Sequence, residues 1–379
     1  MRVALVHDYL TQRGGAERVV LSLTRAFPDA PVYTSLYDPA GTYPEFAQVD
    51  VRTLALDSVP VLRRRHRYAL PLLAPAFSRL KVKADVVVCS SSGWAHGANV
   101  EGRKVVYCHT PARWLYQQQR YLRGKSKAVC VVARTLHPWL LSWDKRAAAT
   151  ADRYVVNSSV VADRVRSIYG RDADVVPPPP GITPEGGAHG VRAIEPDFFL
   201  CVSRLLPYKN VDVVVRAFAE LPDERLVVAG AGELEGELRA VAGPNVTLLG
   251  HVTDEQLRWL YGNCAALVAA SHEDFGLTVI EAAAFGRPTV ALRWGGYLDA
   301  VAEGENGVFF DKASPRHVAA AVRRLRSRSV DESKILAHAR RFDESRFIER
   351  IRAIVRDERG GAIEFEPRSA SHALVRSTH

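Results

Sequence analysis

Two doubly wound, Rossmann-like α/β domains facing each other across a cleft are what this sequence predicts. Three observations carry the prediction: short β-branched runs alternate with segments of helical periodicity, one proline- and glycine-rich stretch interrupts the alternation near mid-chain, and the alternation then restarts. A chain of 379 residues, 47% hydrophobic and 25% charged, is long enough to bury two cores of ordinary size.

VALVHD from Val3 reads as the first strand, and GGAERVVLSLTRAF behind it sets Val19, Val20, Leu23 and Phe27 at helical spacing. PVYTSLY from Pro31, DVVVCSS from Asp85, KVVYCHT from Lys104 and DRYVVNS from Asp152 read as further buried strands, so the units are βαβ and the sheet is parallel. From Ala173, ADVVPPPPGITPEGGAHG combines a run of four prolines with a fifth and several glycines, which deny the backbone regular pairing, and it reads as a linker. FFLCVSR, RLVVAGAG, VTLLGHV, AALVAAS, PTVALRW and NGVFFD then supply the strands of a second sheet. FDESRFIERIRAIVRDE from Phe342 has helical periodicity, and nothing periodic follows Gly360, so a mobile tail is expected there. The expected division is a first domain over residues 1–178, a linker over 179–196, a second domain over 197–342 and a last segment over 343–379.

Composition excludes several functions. No window approaches the ~18 apolar residues of a membrane span, and MRVALVHDYL enters a strand-like run with no cleavage site, which predicts a cytoplasmic protein. Cys89, Cys108, Cys130, Cys201 and Cys264 lie in or beside apolar runs, without the spacing of a zinc or redox motif, and read as reduced core thiols. The net charge of +9 admits nucleic acid, an anionic membrane surface or anionic small ligands. No nucleic-acid-binding motif is present. The cluster RRRHR at Arg63 to Arg67 runs into the apolar YALPLLAPAFSRLKVK, which suits peripheral contact with anionic lipid at the inner face of the plasma membrane. A solvated basic face beside a core helix is the equal alternative.

In open parallel sheets ligands bind beyond the carboxyl ends of the strands, so the chemistry is expected there. After the first strand, Gly14 and Gly15 precede a helix, where backbone can approach a ligand and free N–H groups face an anion; the bland alternative is an ordinary loop. This is not G-x-G-x-x-G, which argues against a nicotinamide enzyme. His109 ends another strand, placed for general-acid work or a hydrogen bond to a substrate hydroxyl, unless its role is structural. In the second half, Arg204 and Lys209 lie in the loop from first strand to helix, two cations suited to phosphate rather than to a merely solvated loop. HEDFGLTVIEAAAFGRP from His272 sets Glu273 in a turn and Glu281 about one turn into a helix that ends at Gly286 and Pro288. The N–H groups of Gly276, Leu277 and Thr278 would hold oxygens between the two carboxylates. Carboxylates for hydroxyls beside cations for a diphosphate describe a nucleotide-sugar site.

Taken in order, GGAE from Gly14, YCHTPARW around His109, SRLLPYKN around Arg204 and Lys209, LGHVTDEQLRWLY from Leu249 and the E-x7-E pair resemble retaining glycosyltransferases of family 4, which have the GT-B fold. The resemblance runs over nearly the full length. Within the family, Cys108 to Pro111 and SSSGWAHG from Ser90 are similar to bacterial mannosyltransferases of polysaccharide or glycolipid assembly that use GDP-mannose. The resemblance implies that Arg204 and Lys209 hold the donor diphosphate, Glu281 the ribose and Glu273 hydroxyls of the donor sugar. It implies that Gly14 and Gly15 approach from the other domain, that His109 contacts the sugar near the reacting carbon, and that the base lies near His251 to Thr253, including Val252. It implies no cofactor, a nucleotide-sugar donor with GDP-mannose favoured over UDP-sugars, and a saccharide or lipid-linked acceptor. The hinge PPPPG at Pro177 to Gly181 departs from the family pattern. Asp172 and Asp174 form the one D-x-D, which in other glycosyltransferases marks a metal–diphosphate site and here reads as turn chemistry. A nucleotide-sugar epimerase and a non-catalytic nucleotide-sugar scaffold are the rival readings.

Overall fold

A computed structural model describes residues 1–64, 69–117 and 127–360. Most of the Arg63 to Arg67 cluster and the tail beyond Gly360 lie outside the described residues. The first sheet contains β1 (Val3–His7), β2 (Val32–Thr34), β3 (Val51–Thr53), β4 (Lys81–Ser91), β5 (Asn99–Cys108), β6 (Arg153–Val156) and β7 (Ala173–Val175). The second contains β8 (Phe198–Val202), β9 (Leu226–Ala229), β10 (Val246–Gly250), β11 (Cys264–Ala269), β12 (Thr289–Leu292) and β13 (Gly307–Phe310). Their orders are β3-β2-β1-β4-β5-β6-β7 and β10-β9-β8-β11-β12-β13, with all named pairs parallel. Chain direction across each sheet therefore reverses once, between β1 and β4 and between β8 and β11, which are the crevices where such sheets bind ligands.

The near-continuous apolar strands follow from burial on both faces. In β4, Val86 and Val88 join Leu5, Val105, Tyr107 and Val155 on one face, while Val87 and Cys89 join Ala4, Val6, Val106 and Cys108 on the other. The helix Gly15–Ala26 covers the first face, together with the last helix, Glu344–Gly360, whose Phe347, Ile351, Ile354 and Val355 enter that core. The chain thus returns to its first domain at its end, held there by Glu344, which accepts from Ser22 Oγ at 2.5 Å and pairs with Arg25 at 2.7 Å. Leu70–Arg79 and Lys127–Ala149 cover the other face, joined where Trp143 Nε1 donates to Ser78 Oγ at 2.8 Å. The second sheet is buried within one larger cluster.

Three elements differ from the sequence reading. β3 is an edge strand whose Arg52 and Thr53 are exposed, so no apolar run announces it. PVYTSLY contributes only Val32–Thr34. β7 occupies Ala173–Val175, at the start of the stretch read as linker, because these residues pair with Tyr154, Val155 and Val156 before the prolines end the ladder.

Candidate active site

Every candidate site residue lies beyond the carboxyl end of a strand, in the loop that follows it or in the first turns of the next helix. Beyond β8 the chain turns through Arg204 into a short 3₁₀ segment, Pro207–Lys209. Asn210 takes the left-handed conformation (φ 53°) and donates from Nδ2 to Ala270 O at 2.8 Å, tying this turn to the end of β11. The tie brings Lys209 onto Glu273: Nζ bonds Oε1 directly. Arg204 is exposed and donates to Tyr208 Oη at 3.1 Å, and the Lys209 ammonium lies 5.0 Å from the centroid of the same ring.

Gly276 caps the helix Leu277–Ala284 with φ 94°, and a Cβ there would overlap the ring of Tyr297, so no other residue fits. Leu277 and Thr278 are the first residues of that helix. Glu281 is buried, and each oxygen has a protein donor: Tyr261 Oη at 2.8 Å on Oε2 and the Gly181 amide at 3.1 Å on Oε1. Burial pushes its carboxyl above the usual range, against these donors and Arg18. Glu281 therefore grips the linker, and Gly181 is the hinge residue it grips. A Cβ on Gly181 would strike the Arg18 side chain, which gives the glycine that ends PPPPG its local reason. Val252 packs on the second core beyond β10, two strands from β8, ahead of a helix (Asp254–Asn263) closed by a Thr253/Gln256 capping box.

The first domain contributes its Gly-Gly loop and His109. A Cβ on Gly15 would sit 2.7 Å from Leu277 Cδ1, so the loop after β1 abuts the start of the helix that carries Glu281. His109 is partly exposed; its Nε2 is 2.8 Å from Ser90 Oγ and its carbonyl accepts from Asn157 Nδ2 at 3.0 Å. Burial lowers its pKa to about 3, so the ring is neutral at physiological pH. Behind Ser90, on β4, stands His7, the last residue of β1.

A buried carboxylate joins the two halves. Asp274 is buried and accepts from Arg113 (Nε at 3.0 Å, with a second bond from the same guanidinium) and from Arg164, both of the first domain. Its carbonyl accepts from Ser158 Oγ, and next to this the Ser159 amide donates to Asp299 at 2.7 Å. On the far side of the cleft Arg18 bonds the Gly181 carbonyl and lies 3.3 Å from Asp254. Asp172 and Asp174 pair separately with Arg166 (3.0 Å) and Arg153 (2.7 Å).

Two family profiles tile this architecture at its hinge: residues 13–185 match Glycosyltransferase Family 4, and residues 196–328 match Glycosyl transferases group 1. The chain belongs to the family 4, group 1 glycosyltransferases. Its relatives include the D-inositol 3-phosphate glycosyltransferase of Acidothermus cellulolyticus, 32% identical over 55% of this chain and 54% of that protein. That of Actinosynnema mirum is 34% identical over 44% and 46%. The chain spans about half the length of the curated relatives it matches. Solved structures similar in fold include Anabaena Alr3699/HepE in complex with UDP-glucose (TM-score 0.69, 18% identity, 94% of this chain and 100% of that one). Sucrose-phosphate synthase from Thermosynechococcus elongatus is similar too (TM-score 0.70, 18%, 94% and 99%). The fold is GT-B.

The sequence reading missed Arg113, Arg164, Asp274, Arg18 and Tyr261. Arg113 and Asp274 sit inside motifs already singled out, four residues after His109 and one after Glu273. The residue types were visible; their partnership across the two domains was not.

Proposed function

We propose that this glycosyltransferase moves a hexose, with retention and without a metal ion, from a nucleoside diphosphate sugar to a saccharide or lipid-linked acceptor. The observation that carries the reading is the convergence of Lys209, Glu273 and Arg113 near the start of the helix Leu277–Ala284, with Arg204 on the same loop as Lys209 and bonded to Tyr208. Cleavage of the anomeric bond leaves an oxocarbenium-like sugar and a diphosphate with added negative charge. Cations and helix N–H groups already in place lower the energy of that charge without reorganising. Lys209 bonds Glu273 directly; a diphosphate would compete for the ammonium and free the carboxylate for sugar hydroxyls. Retention follows from the family resemblance, with the leaving phosphate taking the acceptor proton.

Mannose from GDP-mannose is favoured by the Cys-His-Thr-Pro motif; UDP-glucose in HepE supports a uridine nucleotide as the competing donor. Peripheral attachment to anionic lipid, and with it a lipid-linked acceptor, is supported by exposed Val61, Leu72, Val131, Val132 and Trp139 in the first domain, with Arg79 and Arg134 exposed among them. Among the described residues no helix is long and apolar enough to cross a membrane.

The test is a panel of GDP-, UDP- and ADP-sugars with EDTA present, scored for thermal stabilisation and donor hydrolysis, then for transfer to membrane lipid and to D-inositol 3-phosphate. Stabilisation by one nucleotide class with release of its diphosphate supports the reading. Conversion of the sugar to its epimer while still attached to the nucleotide would indicate an epimerase, binding with neither release nor conversion a scaffold, and no binding would remove the nucleotide-sugar site.

A further inference from the structure

The buried chain behind His109 determines which of its ring nitrogens carries the hydrogen. His7 Nδ1 stands 3.1 Å from the backbone oxygen of Ser90 and 3.1 Å from its Oγ. A carbonyl oxygen can only accept, so the hydrogen of this contact is on His7 Nδ1. It points to the Ser90 side and takes an acceptor position of Oγ as well. The hydroxyl hydrogen is then left for the other neighbour of Oγ, His109 Nε2 at 2.8 Å, and that nitrogen must be the acceptor. A neutral imidazole that accepts at Nε2 carries its hydrogen on Nδ1. Among the described residues no protein group is bonded to that second nitrogen of His109.

We propose that His7 and Ser90 are positioning residues that hold His109 in the Nδ1–H form, so that it meets the donor as a hydrogen-bond donor to a sugar oxygen and not as a proton acceptor. This rests on the reading of His109 as a contact of the donor sugar. It excludes His109 as the base for the acceptor hydroxyl, in agreement with a proton that leaves on the departing phosphate. Burial keeps the ring neutral over the working range, as the chain requires.

The base of the chain explains the first motif. Glu17 of GGAE is buried with Oε1 4.0 Å from His7 Nε2, and Gln12 Nε2 donates to that oxygen at 3.1 Å. Burial disfavours a charged His7, but the Glu17 carboxylate outweighs it and the net shift is upward, which favours the ring with hydrogens on both nitrogens, Nδ1 included. Gly14 makes this possible: a Cβ there would lie 2.5 Å from Glu17 Oε2, so a side chain would push the carboxylate from its place. GGAE thus does two things, with Gly15 abutting Leu277 and Gly14 housing Glu17.

The experiment is a long-range ¹H–¹⁵N spectrum of the full chain labelled in histidine, near neutral pH and with no donor or acceptor, with His109 assigned by the loss of its signals in His109→Asn. The expected result is a protonated Nδ1 and an unprotonated Nε2. The Nε2–H form, or a charged ring, in the wild-type protein would overturn the proposal. Ser90→Ala should give a mixture of both forms and lower kcat about tenfold, the worth of one hydrogen bond, with KM for the donor little changed; Ser90→Thr, which keeps the hydroxyl, should restore the Nδ1–H form. An unchanged tautomer in Ser90→Ala would remove Ser90 from its positioning role. Since the spectrum is read without substrates, failure here is separate from failure of the transferase reading, which the donor panel decides.

Discussion

Replacing Asp274 by alanine should open the cleft. Three charge-assisted bonds run from Arg113 and Arg164 to this carboxylate, whose side chain is only 9% exposed. Bonds to charged groups contribute roughly 1.5–3 kcal/mol each, and breaking a buried ion pair costs about 3–5 kcal/mol. The arginines are 31% and 18% exposed and recover part of their hydration once released, so the lower end applies, roughly 3 kcal/mol. At about 1.4 kcal/mol per decade that is roughly a hundredfold shift from closed to open. Small-angle scattering of the ligand-free protein should show a larger radius of gyration for Asp274→Ala, with kcat/KM reduced although no atom of the proposed diphosphate or sugar contacts has been removed. Asp274→Asn keeps one acceptor and should fall between. A variant whose scattering curve and melting temperature both superimpose on those of the wild-type protein would refute the latch.

Other outcomes follow from the same site. Lys209→Ala should weaken nucleotide-sugar binding measured by calorimetry, whereas Glu273→Ala should abolish transfer while nucleotide still binds; wild-type rates in either would dismiss that residue's role. Tyr261→Phe removes the Oη–H that serves buried Glu281 Oε2 and should cost about 1–3 kcal/mol in urea unfolding, and a change near zero would mean the oxygen finds another donor. His109 should make the protein sensitive to acid. With a folded pKa of about 3 against an ordinary 6.5, the unfolded chain binds a proton that the folded chain refuses, so stability falls as pH drops from 6.5 toward 3, by up to ~1.4 kcal/mol per unit. His109→Asn lacks this dependence, so the stability difference between variant and wild type must vary with pH; a constant difference between about pH 7 and 5 would contradict the assignment.

Much of this was legible in the linear chain because it depends on neighbours in sequence. Alternating apolar runs and helical stripes are local consequences of burying a parallel sheet on both faces, so β1, β4–β6 and β8–β13 could be read directly. The short edge strands could not: Val51–Thr53 takes its conformation from pairing with β2, and its own side chains bury little. Gly14, Gly15, His109, Arg204, Lys209, Glu273, Gly276 and Glu281 were likewise marked by residue type at a strand end, which is a local signal.

What the chain alone determined, then, is the class of fold and the chemical inventory at the ends of its strands. Tertiary structure decided how that inventory is wired. Asp274 meets arginines 161 and 110 positions away, Glu281 meets Gly181 of the linker 100 positions away, and His7 reaches Ser90 across 83. The strength and even the sign of such interactions depend on burial and on a few ångströms of separation between charges. Neither quantity is a property of a short stretch of sequence; both exist only once distant parts of the chain have packed together.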